Sequence, residues 1–236
     1  MNKRVLFVLT GHDRLGSPSD QSAEKTGFHL AEAARPWQVL KAAGFETDLA
    51  TPTGGKAPID PGSYDLEDSA NRAFLEDPVI KDQIDHPHAV GQLDADDYDA
   101  VYFPGGHGTM WDLPDNSEVQ ELVREFYESG KVVGAICHGP AGLVNVTLTD
   151  GSWLVDGKDV SVFTDDEERA VEKDEIVPFL LASRLAEHGA NLRPAPNFEQ
   201  SVSVDDRLVT GQNPASAEAL GKALRDAISE SVDEAA

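Results

Sequence analysis

Residues 131–140, Lys131-Val-Val-Gly-Ala-Ile-Cys137-His138-Gly139-Pro140, carry the strongest local signal in this chain. An apolar run ends on the one cysteine present, and a His-Gly-Pro turn follows at once. A buried strand that stops at a thiol before a glycine-flanked turn describes a nucleophile elbow. Such a turn lifts one side chain above the carboxyl edge of a sheet and aims backbone N–H groups at whatever it attacks. A filler cysteine belongs inside an apolar segment rather than at its exit. Cys137 is therefore the first candidate catalytic residue. His138, able to share or relay its proton, is the second.

On either side of the elbow, strand and helix patterns alternate. Arg4–Thr10 reads as a buried strand, followed by a polar loop over 11–26 and a helical pattern over 28–43. Pro36 should start or kink that helix. Glu46–Ala50 reads as a second strand. An irregular stretch rich in Pro, Gly and Asp then runs from about 51 to 92, with one helical piece near 69–75. A loop that long inside a domain is usually functional or family-specific. Asp99–Phe103 is a third strand, running into Pro104-Gly-Gly-His-Gly108, and 117–129 a helix with Ser117 as its cap. Helices are further expected over 140–146, 176–188 and 215–229, the last capped by Asn213 with Pro214 in its first turn. Short strands are expected over 160–163 and near Val202 and Leu208, and the tail from Glu230 should fray. The pattern implies one α/β domain over 1–236, a mostly parallel sheet covered by helices on both faces. Active groups should gather at the carboxyl ends of its strands.

Composition narrows the function classes. A single cysteine cannot form an internal disulfide and suits a reducing cytoplasm. The first apolar run ends at Leu9, too brief for a signal peptide, and no stretch approaches the roughly 18 apolar residues of a membrane span. The formal net charge is -24, from 43 acidic and 19 basic residues. With no basic stripe to neutralise phosphates, nucleic-acid binding is disfavoured. Self-repulsion on this scale is screened in strong salt, so the acidic load reads as adaptation to a salt-loaded cytoplasm, as in halophiles. Neither a G-x-G-x-x-G turn nor a Walker loop is present, so no nucleotide cofactor is expected.

A free thiol, with a pKa of about 8.5, is mostly protonated at neutral pH and needs help to attack. The helix expected after Cys137 would favour the thiolate. Gly105-Gly106 lets backbone approach closely enough to form, with the N–H of His138, a hole for an oxyanion. His107 is read as shaping its loop, and Trp111 as a pocket wall or core residue. His86 and His88, spaced H-x-H beside Asp85, lack an apparent third ligand, and no metal is expected.

Five segments in order resemble the ThiJ/PfpI superfamily of class I glutamine-amidotransferase-like, flavodoxin-like proteins. They are Thr26-Gly-Phe-His-Leu-Ala-Glu32 with Pro36, Pro104-Gly-Gly-His-Gly108, Ala135-Ile-Cys-His-Gly-Pro140, Phe163-Thr-Asp-Asp-Glu-Glu168 and Thr210-Gly-Gln-Asn-Pro-Ala-Ser216. More narrowly, the chain is similar to the branch named after a heat-shock protein of thirty-one kilodaltons, which includes glutathione-independent glyoxalase III. The resemblance implies Cys137 as nucleophile, His138 as its partner, Glu32 as acid or base against the sulfur, and Glu168 orienting His138. Gly106 and His138 would supply the oxyanion N–H groups. Glu167 stands beside Glu168, so either carboxylate could orient the histidine. The implied activity is cofactor-free conversion of methylglyoxal and related 2-oxoaldehydes to D-lactate and related hydroxy acids, in a homodimer. Protein deglycation, a holdase chaperone or oxidation sensor, and a cysteine amidase or peptidase are the rival readings. The amidase reading is weakened because no H-x-E segment lies downstream of Cys137, His188 lacking that pattern.

Overall fold

The computed structural model describes residues 3–233, and its centre is a seven-stranded sheet. Its strands are β1 (Arg4–Val8), β2 (Glu46–Thr51), β3 (His88–Ala89), β4 (Ala100–Phe103), β5 (Val132–Ile136), β8 (Val202–Asp205) and β9 (Leu208–Gly211). They lie in the order β3-β2-β1-β4-β5-β9-β8, and every neighbouring pair is parallel except the β8–β9 hairpin. A separate two-stranded parallel ribbon pairs β6 (Asp159–Val160) with β7 (Asn191–Leu192). The helices are α1 (Leu30–Ala42), α2 (Ser69–Glu76), α3 (Pro78–Asp85), α4 (Thr109–Asp112), α5 (Ser117–Glu128), α6 (Asp165–Ala170), α7 (Leu181–Glu187) and α8 (Ala217–Asp233).

The strands in the middle of the sheet, β1, β4 and β5, are almost wholly buried because helices cover both faces. Alternate residues divide between two cores. Leu6, Val8, Val101, Phe103, Val133 and Ala135 join the core that holds Val119, Val123 and Phe126 of α5. Val5, Phe7, Tyr102 and Ile136 join the one that holds Leu30, Trp37 and Leu40 of α1 and Leu220 and Leu224 of α8. The chain leaves β1 toward β2 on one side and returns to β4 on the other. That reversal opens a crevice at the carboxyl ends of β1, β4 and β5, where ligands bind in sheets of this kind.

Pro36 does not start α1; it lies in the middle of it. Without an N–H it leaves the carbonyl four residues earlier, that of Glu32, without a helical partner. The Tyr102 hydroxyl donates to that carbonyl at 2.7 Å from the adjacent strand. The sheet thus repairs the helix at the turn that carries Glu32, which is why the proline is tolerated there.

Other boundaries differ from the sequence expectation for local reasons. The stretch from 51 to 92 contains two helices and an edge strand, with Asp68 and Asp77 each accepting backbone N–H groups as caps. Asn116, not Ser117, caps α5, its side chain accepting from Val119 N–H at 3.0 Å. The apolar run after the elbow forms only a 3₁₀ turn, Gly139–Gly142, and the helix expected over 176–188 shrinks to α7. The strand expected over 160–163 survives as β6 alone. Asn213 makes no cap bond; Pro214–Ser216 is a 3₁₀ turn ahead of α8, which runs to Asp233. The expected fraying falls within that helix up to Asp233, and beyond it lies outside the described residues.

Tyr102→Phe should strand the Glu32 carbonyl in the core at a cost of about 1–3 kcal/mol. Urea denaturation of the two proteins measures the loss, and equal midpoints would show that the repair is not needed.

Candidate active site

The β5 strand ends at Ile136, and Cys137 adopts φ +58°, a left-handed conformation that a non-glycine residue rarely takes. Neighbours hold it there. The Cys137 N–H donates to Gly211 O at 2.8 Å from β9, and its carbonyl accepts from Phe163 N–H at 3.2 Å. The elbow read from the sequence is therefore present and strained, and the strain aims the thiol at the crevice.

Three elements converge on the sulfur. His138 places Nδ1 at 3.3 Å from Cys137 Sγ and Nε2 at 2.6 Å from Glu168 Oε2. Glu32, in the first turn of α1, is wholly buried, and its Oε2 accepts the Gly105 N–H at 3.0 Å. A Cβ added at Gly105 would come within 2.6 Å of Glu32 Oε2 and 2.8 Å of Cys137 Cβ, so only glycine lets this strand end pass between them. Gly106, at φ +107°, lies so close to the chain ahead of α1 that a Cβ would meet Gly27 O at 2.2 Å. Among the described residues no hydrogen bond uses the amide N–H of Gly106 or of His138. The Thr109 hydroxyl lies 2.8 Å from Gly106 O and 2.9 Å from His138 O, bridging the two loops.

The acidic run Asp165–Glu168 forms the first turn of α6, where carboxylates favour the helix dipole. Its two buried glutamates have separate tasks. Glu167 completes a capping box with Thr164, and its Oε1 accepts from Phe198 N–H and Asn213 Nδ2, each at 2.8 Å. Glu168 turns the other way and receives both histidines, His138 on one oxygen and His107 Nε2 on the other at 2.7 Å. Glu168, not Glu167, touches His138. His107 also stacks on His138, with ring centroids 4.1 Å apart, so it does more than shape its loop. Its position between glycines at the exit of β4 was the signal for this; Thr109 gave none.

Burial governs the charges. Desolvation raises the Glu32 carboxyl to a pKa of about 8. Burial, and then Glu32, push the Cys137 thiol well above its usual range, the reverse of the lowering expected from sequence. The short 3₁₀ turn after the elbow does not offset that burial. Desolvation also opposes the charge on Glu168, but His138 and the hydrogen bond from His107 hold its carboxyl well below the usual range. Burial, followed by the neighbouring His107, lowers His138. The resting site is a neutral imidazole held by an anionic Glu168, beside a protonated carboxyl and a thiol. Because His138 Nε2 faces a carboxylate it carries the proton, leaving Nδ1 as acceptor toward the sulfur.

The site opens into a pocket of about 280 Å³ whose walls include Leu15, Phe163, Val171, Phe198 and Pro214. The segment after β2 contributes Asp60, Gly62 and Ser63, so part of the irregular stretch builds the site. A larger hollow of about 520 Å³ on the other side of α6 is lined by no cysteine or histidine. Ligand atoms of His107, His138 and Glu168 lie within 4.8 Å of one another, a set able to hold a metal ion. His86 and His88 belong to no such group among the described residues, and His86 instead faces Asp82 at 3.5 Å. Trp111 is no pocket wall; it packs partly buried against the core on the α5 side of the sheet and stacks on His12, with centroids 5.2 Å apart.

Residues 23–227 match the DJ-1/PfpI family. The chain is 34% identical to the glutathione-independent glyoxalase HSP31 of Saccharomyces cerevisiae, over 96% of its own length and 98% of that protein's. Among solved structures, the rapid encystment protein of 24 kDa from Francisella tularensis superposes with a TM-score of 0.90 at 37% identity, covering 96% of this chain and 99% of that one. Glyoxalase III of Candida albicans superposes with a TM-score of 0.85 at 29% identity, covering 95% and 97%.

The Glu32 shift makes stability depend on pH. The folded chain holds a proton on Glu32 between its ordinary pKa of 4.5 and about 8, where the unfolded chain releases it. The group's stability contribution is therefore full below 4.5 and is lost as pH rises through that window, by up to about 1.4 kcal/mol per pH unit. Urea denaturation at several pH values should show a smaller decline for Glu32→Gln than for wild type. Identical slopes would mean that Glu32 is an ordinary carboxylate.

Proposed function

Starting from a chain that belongs to the DJ-1/PfpI family, we propose that it is a glutathione-independent glyoxalase of the glyoxalase III type. Its substrates are methylglyoxal and related 2-oxoaldehydes, and its products lactate and related hydroxy acids. The observation that carries this reading is the pairing at one sulfur: a neutral imidazole base on one side and a carboxyl kept protonated on the other. The glyoxalases to which the chain is similar point to the substrate class.

Each group has a place in the chemistry. The thiol of Cys137 adds to the aldehyde carbon of methylglyoxal as His138 Nδ1 takes its proton, and Glu168 stabilises the imidazolium that forms. The oxyanion of the hemithioacetal faces the unused N–H groups of Gly106 and His138. A base then removes the C–H proton of the former aldehyde carbon, giving an enediol. Whichever of Glu32 and His138 gives its proton to the new oxyanion becomes that base, Glu32 as a carboxylate or His138 as a neutral imidazole again. Return of a proton to the adjacent carbon gives a thioester of the hydroxy acid, and water cleaves it and restores the thiol. The sum is methylglyoxal plus water giving lactic acid, an internal redox change with no electrons left over. The D configuration, like a homodimer at work in the cytoplasm, is taken from the family likeness.

Deglycation of aldehyde adducts would begin from the same hemithioacetal and shares these residues. The amidase reading is weakened further, since His188 is engaged elsewhere: it stacks on Trp153 at 3.9 Å and pairs with Val144 O. The chaperone reading needs an apolar surface, yet among the described residues only Tyr64, Leu66, Val79, Trp153, Ile176, Phe198 and Val204 are large apolar side chains that stand exposed.

Wild type incubated with methylglyoxal without glutathione should yield lactate, which stereospecific dehydrogenases identify as D. Cys137→Ser should yield none. Glu168→Gln should lower kcat/KM by roughly 10²-fold or more, as for loss of a group supporting acid–base catalysis. Suppression of protein aggregation without any lactate would instead favour the chaperone.

A further inference from the structure

His29 occupies the N-cap of α1 without capping it. Serine, threonine, aspartate and asparagine are favoured there because their side-chain oxygens accept a backbone N–H. The ring of His29 makes no such bond, and Ser63 Oγ from the neighbouring loop accepts the Leu30 N–H at 2.9 Å instead. His29 Nδ1 is also buried with no hydrogen-bond partner. The residue thus neither caps its own helix nor satisfies its own ring nitrogen, and such lapses gather at functional positions. The ring lines the same pocket as Cys137, Gly106 and His138. Its backbone is fixed beside the oxyanion loop, because the His29 N–H donates to Gly105 O at 2.9 Å.

The orphan nitrogen also fixes the tautomer. Burial lowers the His29 pKa to about 4, so the ring is neutral and carries one N–H. An unpaired N–H buried away from water is rarer and costlier than an unpaired lone pair. The proton therefore sits on Nε2, the nitrogen left to face the pocket, where no described residue bonds it. The result is an uncharged donor waiting for an acceptor.

We infer that His29 recognises the second carbonyl of the substrate: its Nε2–H donates to the keto oxygen of a 2-oxoaldehyde whose aldehyde carbon is bonded to Cys137. This rests on the glyoxalase reading above. When the C–H proton of the former aldehyde carbon leaves, its electron pair forms the carbon–carbon double bond. The π pair of the ketone moves onto its oxygen, directly against the His29 donor, and the charge relaxes when the carbon is reprotonated. The bond is strongest when that oxygen is an enediolate, so it acts mainly on kcat. A simple aldehyde has no oxygen to offer there, which makes His29 a selector for vicinal dicarbonyls.

The test compares wild type, His29→Phe and His29→Gln for kcat and KM with methylglyoxal, for alkylation of Cys137 by iodoacetamide, and for melting temperature. Phenylalanine keeps the ring and removes the donor; glutamine restores an N–H at similar reach. His29→Phe should lower kcat by about 10²-fold, the usual loss on deleting one oxyanion donor. It should leave alkylation and melting unchanged, and His29→Gln should recover most of the rate. Wild-type kcat in His29→Phe overturns the inference while leaving the glyoxalase reading intact. Lactate from no protein, wild type included, overturns that reading and this inference with it. Should the Phe variant not fold, His29→Met replaces it as the donor-free side chain, and equal rates for Met and Gln overturn the proposal.

Discussion

A carboxyl and a thiol share one water-poor corner at the edge of the sheet, and neither ionises cheaply there. Desolvation keeps the Glu32 proton in place to about pH 8 and holds the Cys137 thiol protonated well beyond its usual range. In the reaction we propose, the attacking charge is created when His138 accepts the thiol proton, rather than stored in a resting thiolate. Glu168 makes that transfer possible. It fixes the imidazole tautomer from one side and is itself held by His107 from the other. The oxyanion amides, the glycine pair and the apolar pocket add a destination for the charge once it moves to substrate.

The departures from ordinary folding rules lie around this corner. Cys137 is left-handed, a proline interrupts the helix that carries Glu32, and His29 takes an N-cap it does not fill. Each is stabilised by a neighbour from another element: Gly211 and Phe163 for the elbow, Tyr102 for the carbonyl Pro36 leaves free, Ser63 for the helix start. Packing of the central strands holds groups that would otherwise relax away from one another. Glu167 belongs to the same framework, since it positions Phe198 and Asn213 and does not touch His138.

The sheet was legible because its central strands are buried on both faces and read as unbroken apolar runs, and the elbow because glycine and proline punctuate its exit. Less was legible where periodicity fails. The run after Cys137 is apolar because the core surrounds it, which imitates a helix, yet Gly139 and Gly142 pack so tightly against Phe103 that only a 3₁₀ turn forms. The α6 helix is only six residues long, and four consecutive acidic residues in its first turn show no apolar periodicity; only the Thr164–Glu167 capping box announces it. Glu32 and Glu168 gained roles from family likeness alone, because one glutamate in a helix looks like any other until its neighbours are known. The thiol pKa departs from the sequence expectation for the same reason: helix position is local, whereas desolvation is set by the whole fold.

The proton on Glu32 is the most exposed point of this account. Infrared difference spectra between wild type and Glu32→Gln, recorded through neutral and alkaline pH, detect it directly. The account predicts the carbonyl band of a protonated carboxylic acid at pH 7, giving way to carboxylate bands only as pH passes about 8. Carboxylate bands alone at pH 7 would contradict it, because a charged Glu32 could neither donate to the sulfur site nor hold a proton for the oxyanion.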